Sequence, residues 1–251
     1  LEQEIKRKKP GAIIVELPSN PMLRCVDLPK ISKVAHKLNV IIIADDTIGS
    51  AINIDPLPYV DIVFSSLTKS FAGRGDILAG SLVVSPTSRW RNDLNKMVKA
   101  VSLANLSNPD TIALEDASKD IKDRLHRLNN ACLKLKTSLQ SHPRIARVLH
   151  PADCLNFKSL MRSRGGYGCL LSFELLGGLS ETRRFYDKLK VCKGPSLGTN
   201  FTLVCPYVLL AHYDELEWAK ECGVPAHLIR VSVGLEDSEE LWSRFNEALK
   251  I

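Results

Sequence analysis

The sequence predicts an α/β fold with a mostly parallel sheet, followed by a smaller α+β unit. Three observations carry that prediction. Over about the first hundred residues, short β-branched apolar runs alternate with helix-period segments, the pattern of parallel β/α units. The period then lengthens into one long amphipathic helix. After Pro143, short strand and helix patterns alternate, so the boundary is placed near residue 145, giving units 1–145 and 146–251.

Each element follows from its residues. Ala12 to Glu16 (AIIVE) reads as a buried strand, and Asp27 caps a helix with Pro29 in its first turn and Ile31, Val34, Ala35 and Leu38 as its stripe. Val40 to Ala44, Ile62 to Ser65 and Leu78 to Val84 are the next strands. All four are apolar on both faces, which predicts helices on both sides of the sheet. Between Asp110 and Gln140, Ile121, Leu125, Leu128, Cys132, Leu135 and Leu139 recur at spacings of four and three, a narrow helical seam. Beyond it, Arg144 to Leu149, Gly168 to Leu175 and Leu228 to Gly234 read as strands, and Ser180 to Leu189 as a helix. Asp237 and Glu240 form a capping box ahead of a closing helix with Leu241, Trp242, Phe245 and Leu249 on its apolar face.

Composition narrows the function. With 251 residues, 45% apolar and 25% charged, the chain can bury a sizeable core, and disordered, collagenous or coiled-coil classes are excluded. The net charge of +6 comes partly from the run Lys6 to Lys9 and from the six Lys/Arg between Lys119 and Lys136. Neither stretch interleaves aromatics, so both read as solvated faces and no nucleic-acid partner is expected. The longest apolar run, Val40 to Ala44, is far short of the roughly 20 residues that span a bilayer. The seven cysteines are odd in number and lack C-x-x-C spacing. With no signal peptide, they predict reduced, packed thiols in a cytoplasmic protein and no metal site. The chain opens without Met on Leu1, inside what reads as a helix end, and is expected to be part of a longer polypeptide.

The stretch from Ala44 to Gly80 is the most informative chemically. Asp45 and Asp46 end one strand, and Ser66-Leu-Thr-Lys69 ends the next, followed by Phe71-Ala-Gly-Arg-Gly-Asp76. The carboxyl ends of neighbouring parallel strands face one crevice, so Asp45 and Lys69 should meet there. An ordinary ion pair is one reading of that pair. The hydroxyls of Ser66 and Thr68 beside the lysine favour another: pyridoxal 5'-phosphate needs a lysine for its aldehyde, an anion for its ring nitrogen and donors for its phosphate. No G-x-G-x-x-G follows the first strand, which argues against a dinucleotide site.

Glu16-Leu-Pro-Ser-Asn-Pro21, Ala44-Asp-Asp-Thr47, Ser66-Leu-Thr-Lys69, Gly194-Pro-Ser-Leu-Gly-Thr-Asn200 and Arg230-Val-Ser-Val-Gly-Leu-Glu-Asp237 occur in the order seen in the Cys/Met-metabolism family of pyridoxal-phosphate enzymes. The chain resembles that family over nearly its whole length, and Lys193 to Ala219 resembles the fungal cystathionine γ-synthase type within it.

The resemblance implies an aspartate-aminotransferase-like (fold type I) architecture. It implies pyridoxal 5'-phosphate as cofactor, small amino-acid substrates, and self-association into homodimers or homotetramers with shared active sites. Lys69 would be the Schiff-base lysine and proton shuttle, Asp45 the partner of the ring nitrogen, and Ser66 and Thr68 phosphate neighbours. Asn20 would lie at the ring hydroxyl and substrate carboxylate, and Ser196 beside lysine and substrate. Arg230 would clamp the α-carboxylate. A guanidinium inside the apolar strand Leu228 to Val233 fits that role, and an ion pair with Glu236 or Asp237 is the competing reading. His212 reads as a structural histidine, and Asn200 and Tyr207 as candidate pocket walls.

The implied reaction is γ-replacement on an O-acylhomoserine by cysteine, giving cystathionine for methionine biosynthesis. A cystathionine γ-lyase, another γ-substitution enzyme and a non-catalytic remnant acting as an interaction protein are the alternatives. The chain departs from the family at Ala72-Gly-Arg-Gly75, where Asn-Gly-His is common, at Asp46 in place of Asn, and by one residue near Pro58. The family's phosphate loop, its ring-stacking tyrosine and the tyrosine and arginine lent by a neighbouring subunit would lie upstream of Leu1. These 251 residues alone are therefore expected to bind the cofactor poorly or not at all.

Overall fold

The computed structural model describes residues 1–101 and 106–250. Its first part runs α1 (Glu2–Lys8), β1 (Ala12–Glu16), α2 (Leu28–Lys37), β2 (Ile41–Asp45), β3 (Ile62–Ser66), β4 (Gly80–Val84), α3 (Arg91–Val101) and α4 (Asn108–Ser118). The long helix α5 (Ile121–Gln140) follows. The remainder is β5 (Ile145–Leu149), α6 (Leu155–Lys158), β6 (Leu170–Leu175), α7 (Gly178–Lys188), β7 (Cys192–Lys193), β8 (Leu203–Pro206), α8 (Tyr207–Ala211), α9 (Leu216–Glu221), β9 (Ile229–Ser232) and α10 (Ser238–Leu249).

The first sheet has the order β1-β2-β3-β4. β1, β2 and β3 are parallel, with Glu16 opposite Asp45 and Asp45 opposite Phe64, so their carboxyl ends share one edge. β4 departs from the expected parallel pattern: it is antiparallel to β3, pairing Ser66 with Gly80. Its connection to β3, from Leu67 to Ala79, contains no crossover helix, and only an antiparallel return is reachable without one. The expectation that every strand is covered on both faces also fails. Ile14 is 66% exposed, and Leu82 of β4, on the same face, is exposed too, so among the described residues that face carries little cover at the two edge strands.

Two cores result. Beneath β1 to β3, Leu17, Leu28, Ala35, Ile42 and Ala44 pack with Phe157 and Leu160, which the 151–167 stretch returns to this sheet. The second core joins Leu135 and Leu139 of α5 to Phe173, Phe185, Val231 and Phe245, and the Phe173 and Phe185 rings meet edge to face at 5.6 Å. Each such fully buried side chain contributes about 1.5–3 kcal/mol.

The second sheet has the order β5-β6-β9-β8-β7, antiparallel except for β7 with β8. The predicted single helix from Asp110 is two, broken at Lys119 and Asp120, and the seam residues from Leu125 to Leu139 are buried. At α10, Asp237 accepts from the N–H groups of Glu239 and Glu240, both at 3.0 Å, while the Glu240 carboxylate turns to Arg244. Only the Asp237 half of the expected capping box is therefore formed. All seven cysteines are free thiols; Cys192 and Cys222 are exposed, against the expectation of packed thiols throughout.

Candidate active site

The site lies where the parallel edge of the first sheet meets the loop between β7 and β8. Asp45 ends β2, and its carboxylate accepts from the N–H of Thr47 at 2.9 Å. Thr47 in turn accepts the N–H of Ser66, the last residue of β3, at 2.8 Å. Asp46 is buried behind this edge and accepts the Ser65 hydroxyl. Burial pushes the Asp46 carboxyl upward, the Ser65 bond opposes the shift, and the charge of Asp45 reinforces it.

Lys69 follows in the turn after β3, with its Nζ 3.3 Å from the Ser196 hydroxyl. The ordinary ion-pair reading does not hold: among the described residues, no salt bridge links Asp45 or Lys69 to any group. A half-buried carboxylate and a half-buried amine, each without a counter-ion, sit on one sheet edge. Of the two flanking hydroxyls, Thr68 is occupied, accepting the N–H of Ala79 at 3.0 Å and donating to its carbonyl at 3.3 Å. That bond fixes the entry into β4. Ser66 lines a cleft of about 330 Å³ with Asp46, Thr47, Ser65, Ser70 and Phe71; neither Asp45 nor Lys69 lines it.

Gly198 shows how tightly the two sheets meet here. At its φ of 77°, an added Cβ would fall 2.4 Å from the backbone nitrogen of Ser70 and 2.8 Å from the carbonyl carbon of Lys69. Only glycine lets this loop approach the lysine so closely. The Gly198 N–H is held by the Ser232 hydroxyl of β9 at 2.7 Å.

Arg230, in the middle strand of the second sheet, is 3% exposed. Its Nη1 donates to the Asn20 side chain at 3.2 Å, and its Nη2 to the carbonyls of Pro195 and Ser196, the latter at 3.0 Å. The Tyr207 ring lies 5.0 Å from its guanidinium carbon. Neither Glu236 nor Asp237 pairs with it: Glu236 accepts from the N–H and hydroxyl of Thr202, and Asp237 caps α10. The Arg230 Nε is buried without a partner, a donor still to be satisfied. Asn20 is placed by its own N–H to Glu16 at 3.2 Å and by the buried Ser172 hydroxyl, which donates to the Pro21 carbonyl at 2.8 Å.

Lys69, Ser196, Arg230 and Asn20 thus form one connected chain, with Asp45 and Ser66 on the facing strand ends. His212 stands apart, bonded to Glu215 at 2.9 Å and flanked by the rings of Tyr207 and Trp218. Asn200 donates its N–H to the Gly73 carbonyl at 2.6 Å, and its side-chain oxygen is buried without a partner. Sequence reasoning missed Arg124, Ser172 and Ser232. Arg124 had a readable signal: it stands three residues after Ile121 and four before Leu128, on the apolar seam of α5.

The sequence profile of the Cys/Met-metabolism pyridoxal-phosphate-dependent enzymes matches residues 1–250. The chain belongs to that family. It is 40% identical over 243 residues to cystathionine gamma-synthase of Neurospora crassa, covering 96% of this chain and 39% of that protein. Among solved structures, the cystathionine gamma synthase of Xanthomonas oryzae in complex with cystathionine superposes with a TM-score of 0.88 at 25% identity, over 99% of this chain and 65% of that one. The cystathionine gamma-lyase of Lactobacillus plantarum complexed with L-serine gives 0.83 at 29% identity, over 95% and 63%. This family member therefore has the fold type I architecture of those enzymes and spans part of their length. No helix among the described residues is long and apolar enough to cross a membrane.

Proposed function

We propose that the chain carries the lysine-bearing half of a γ-replacement site, joining an O-acylhomoserine and cysteine into cystathionine. The observation that carries this reading is the continuous link from Lys69 through Ser196 to the buried fork of Arg230. Pyridoxal phosphate suits the residues present, and when bound it supplies the electron sink for proton loss at the substrate's α- and β-carbons. Lys69 would hold its aldehyde, Asp45 its ring nitrogen, and Ser66 and the turn at Thr68 its phosphate side.

The chain's own residues then do the orienting and the proton transfer. Arg230 presents a planar fork to the α-carboxylate, with Nε as the spare donor and Asn20 holding Nη1. Ser196 steadies the Lys69 amine, which takes the α-proton and returns one later. The γ-acyloxy group leaves as its carboxylate, and the cysteine thiol adds at the γ-carbon with loss of its proton. We assign residues 1–145 to part of the large cofactor-binding unit with its long connecting helix and 146–251 to a small α+β unit, and we expect a cytoplasmic homodimer or homotetramer.

The γ-lyase reading uses the same residues and is supported by the Lactobacillus plantarum likeness. Incubation with cofactor, O-acylhomoserine and cysteine separates them. Cystathionine as the product supports the synthase; α-ketobutyrate and ammonia without cystathionine would reject it.

A further inference from the structure

Arg124 lies in the first turn of α5, within a stretch whose six basic residues read as a solvated face, yet it is 4% exposed. A guanidinium is buried at high cost unless its donors are taken. Here Nη1 donates to the carbonyl of Ser70 at 2.7 Å, and Nη2 to those of Phe71 at 2.7 Å and Ala117 at 2.9 Å. Nε meets Asp120 at 3.2 Å. Two of the three carbonyls belong to the residues directly after Lys69. The same turn is closed by the Gly73 N–H on the Lys69 carbonyl at 2.8 Å, and a Cβ on Gly73 would strike both Asn200 Oδ1 and Arg124 Nη1.

We propose that Arg124 is a positioning residue for Lys69. It pins the turn after the lysine to α5 and, through Gly73 and Asn200, fastens that turn to the loop that brings Ser196 to the amine. The role rests on the reading of Lys69 as the cofactor lysine. A planar fork reaches three carbonyls on two segments at once, which a lysine ammonium at this position does not reproduce.

The test uses amide hydrogen exchange on the whole chain and its Arg124→Met and Arg124→Lys variants, read by peptide mass spectrometry. We expect exchange at Ala72, Gly73 and Asn200 to rise about tenfold in R124M and less in R124K, with β6 and β9 unchanged. Competitive acetylation of the Lys69 amine, measured against Lys193, should change by about threefold in the same variants. If R124M does not fold, R124K carries both readouts. Equal acceleration across both sheets would make Arg124 a core residue only, and an unchanged Lys69 turn would remove the proposal outright. Pyridoxal phosphate taken by other lysines of the parent chain in preference to Lys69 would instead strike the functional reading and leave the exchange result standing.

Discussion

A guanidinium sealed inside a strand must find acceptors, and Arg230 finds three while keeping Nε in reserve. Its place in an apolar strand made it legible from sequence, because an unpaired charge there would be intolerable. Its partners were not legible, since Pro195, Ser196 and Asn20 converge only through the fold. Arg230→Lys keeps the charge and loses the fork; the Michaelis constant for the amino-acid substrate should rise about tenfold or more, with a smaller change in turnover. Steady-state kinetics with the substrate amino acid varied would show it, and an unchanged constant would remove Arg230 from the carboxylate. Gly198→Ala should lower stability by about 2 kcal/mol or more in denaturant melts, because a left-handed φ and a backbone clash at Ser70 coincide.

Elements with a long, clean period were the readable ones. β1, β2 and α2 stand within a residue or two of expectation, as does α10. β7 and β8 escaped because strands of two and four residues carry no alternation. The direction of β4 escaped because its residues are as apolar as those of a buried parallel strand, and only the connection from Leu67 to Ala79 decides. On α5 the charges hid the seam's width: Arg124 and Lys136 are buried beside the leucines. Asp237 is the clearest single support of an element, accepting two first-turn N–H groups. Asp237→Ala should cost about 1 kcal/mol, a fall of about 2–4 °C in thermal midpoint, and an unshifted midpoint would deny the cap its role.

At the scale of the molecule, Lys136 ties α5 to the 151–167 stretch through Asp153, and a buried histidine makes that junction sensitive to acid. His150 accepts the Ala152 N–H on Nδ1 while its Nε2 is buried without a partner. Burial, helped by the nearby Lys136, pulls its pKa down to about 4, with Asp153 opposing. The unfolded chain therefore binds the proton first, and stability falls as pH drops from about 6.5 to about 4, by about 3 kcal/mol for this group. His150→Gln should flatten that part of the stability curve relative to the parent, whereas parallel curves would refute the assignment. The sheet face bearing Ile14 and Leu82 is exposed in a chain that spans 65% of the Xanthomonas oryzae structure. Family membership was legible because five short sequence blocks keep their order, while the state of Thr68, spent on Ala79, needed coordinates. The central claim is that Lys69 is the residue that takes the cofactor. Saturating pyridoxal phosphate followed by borohydride reduction and peptide mapping tests it at the atom concerned. Occupancy should be low, but the pyridoxyl label should be concentrated on Lys69 and abolished there by Lys69→Ala; label that favours exposed lysines over Lys69, in proportion to their accessibility, would overturn the assignment.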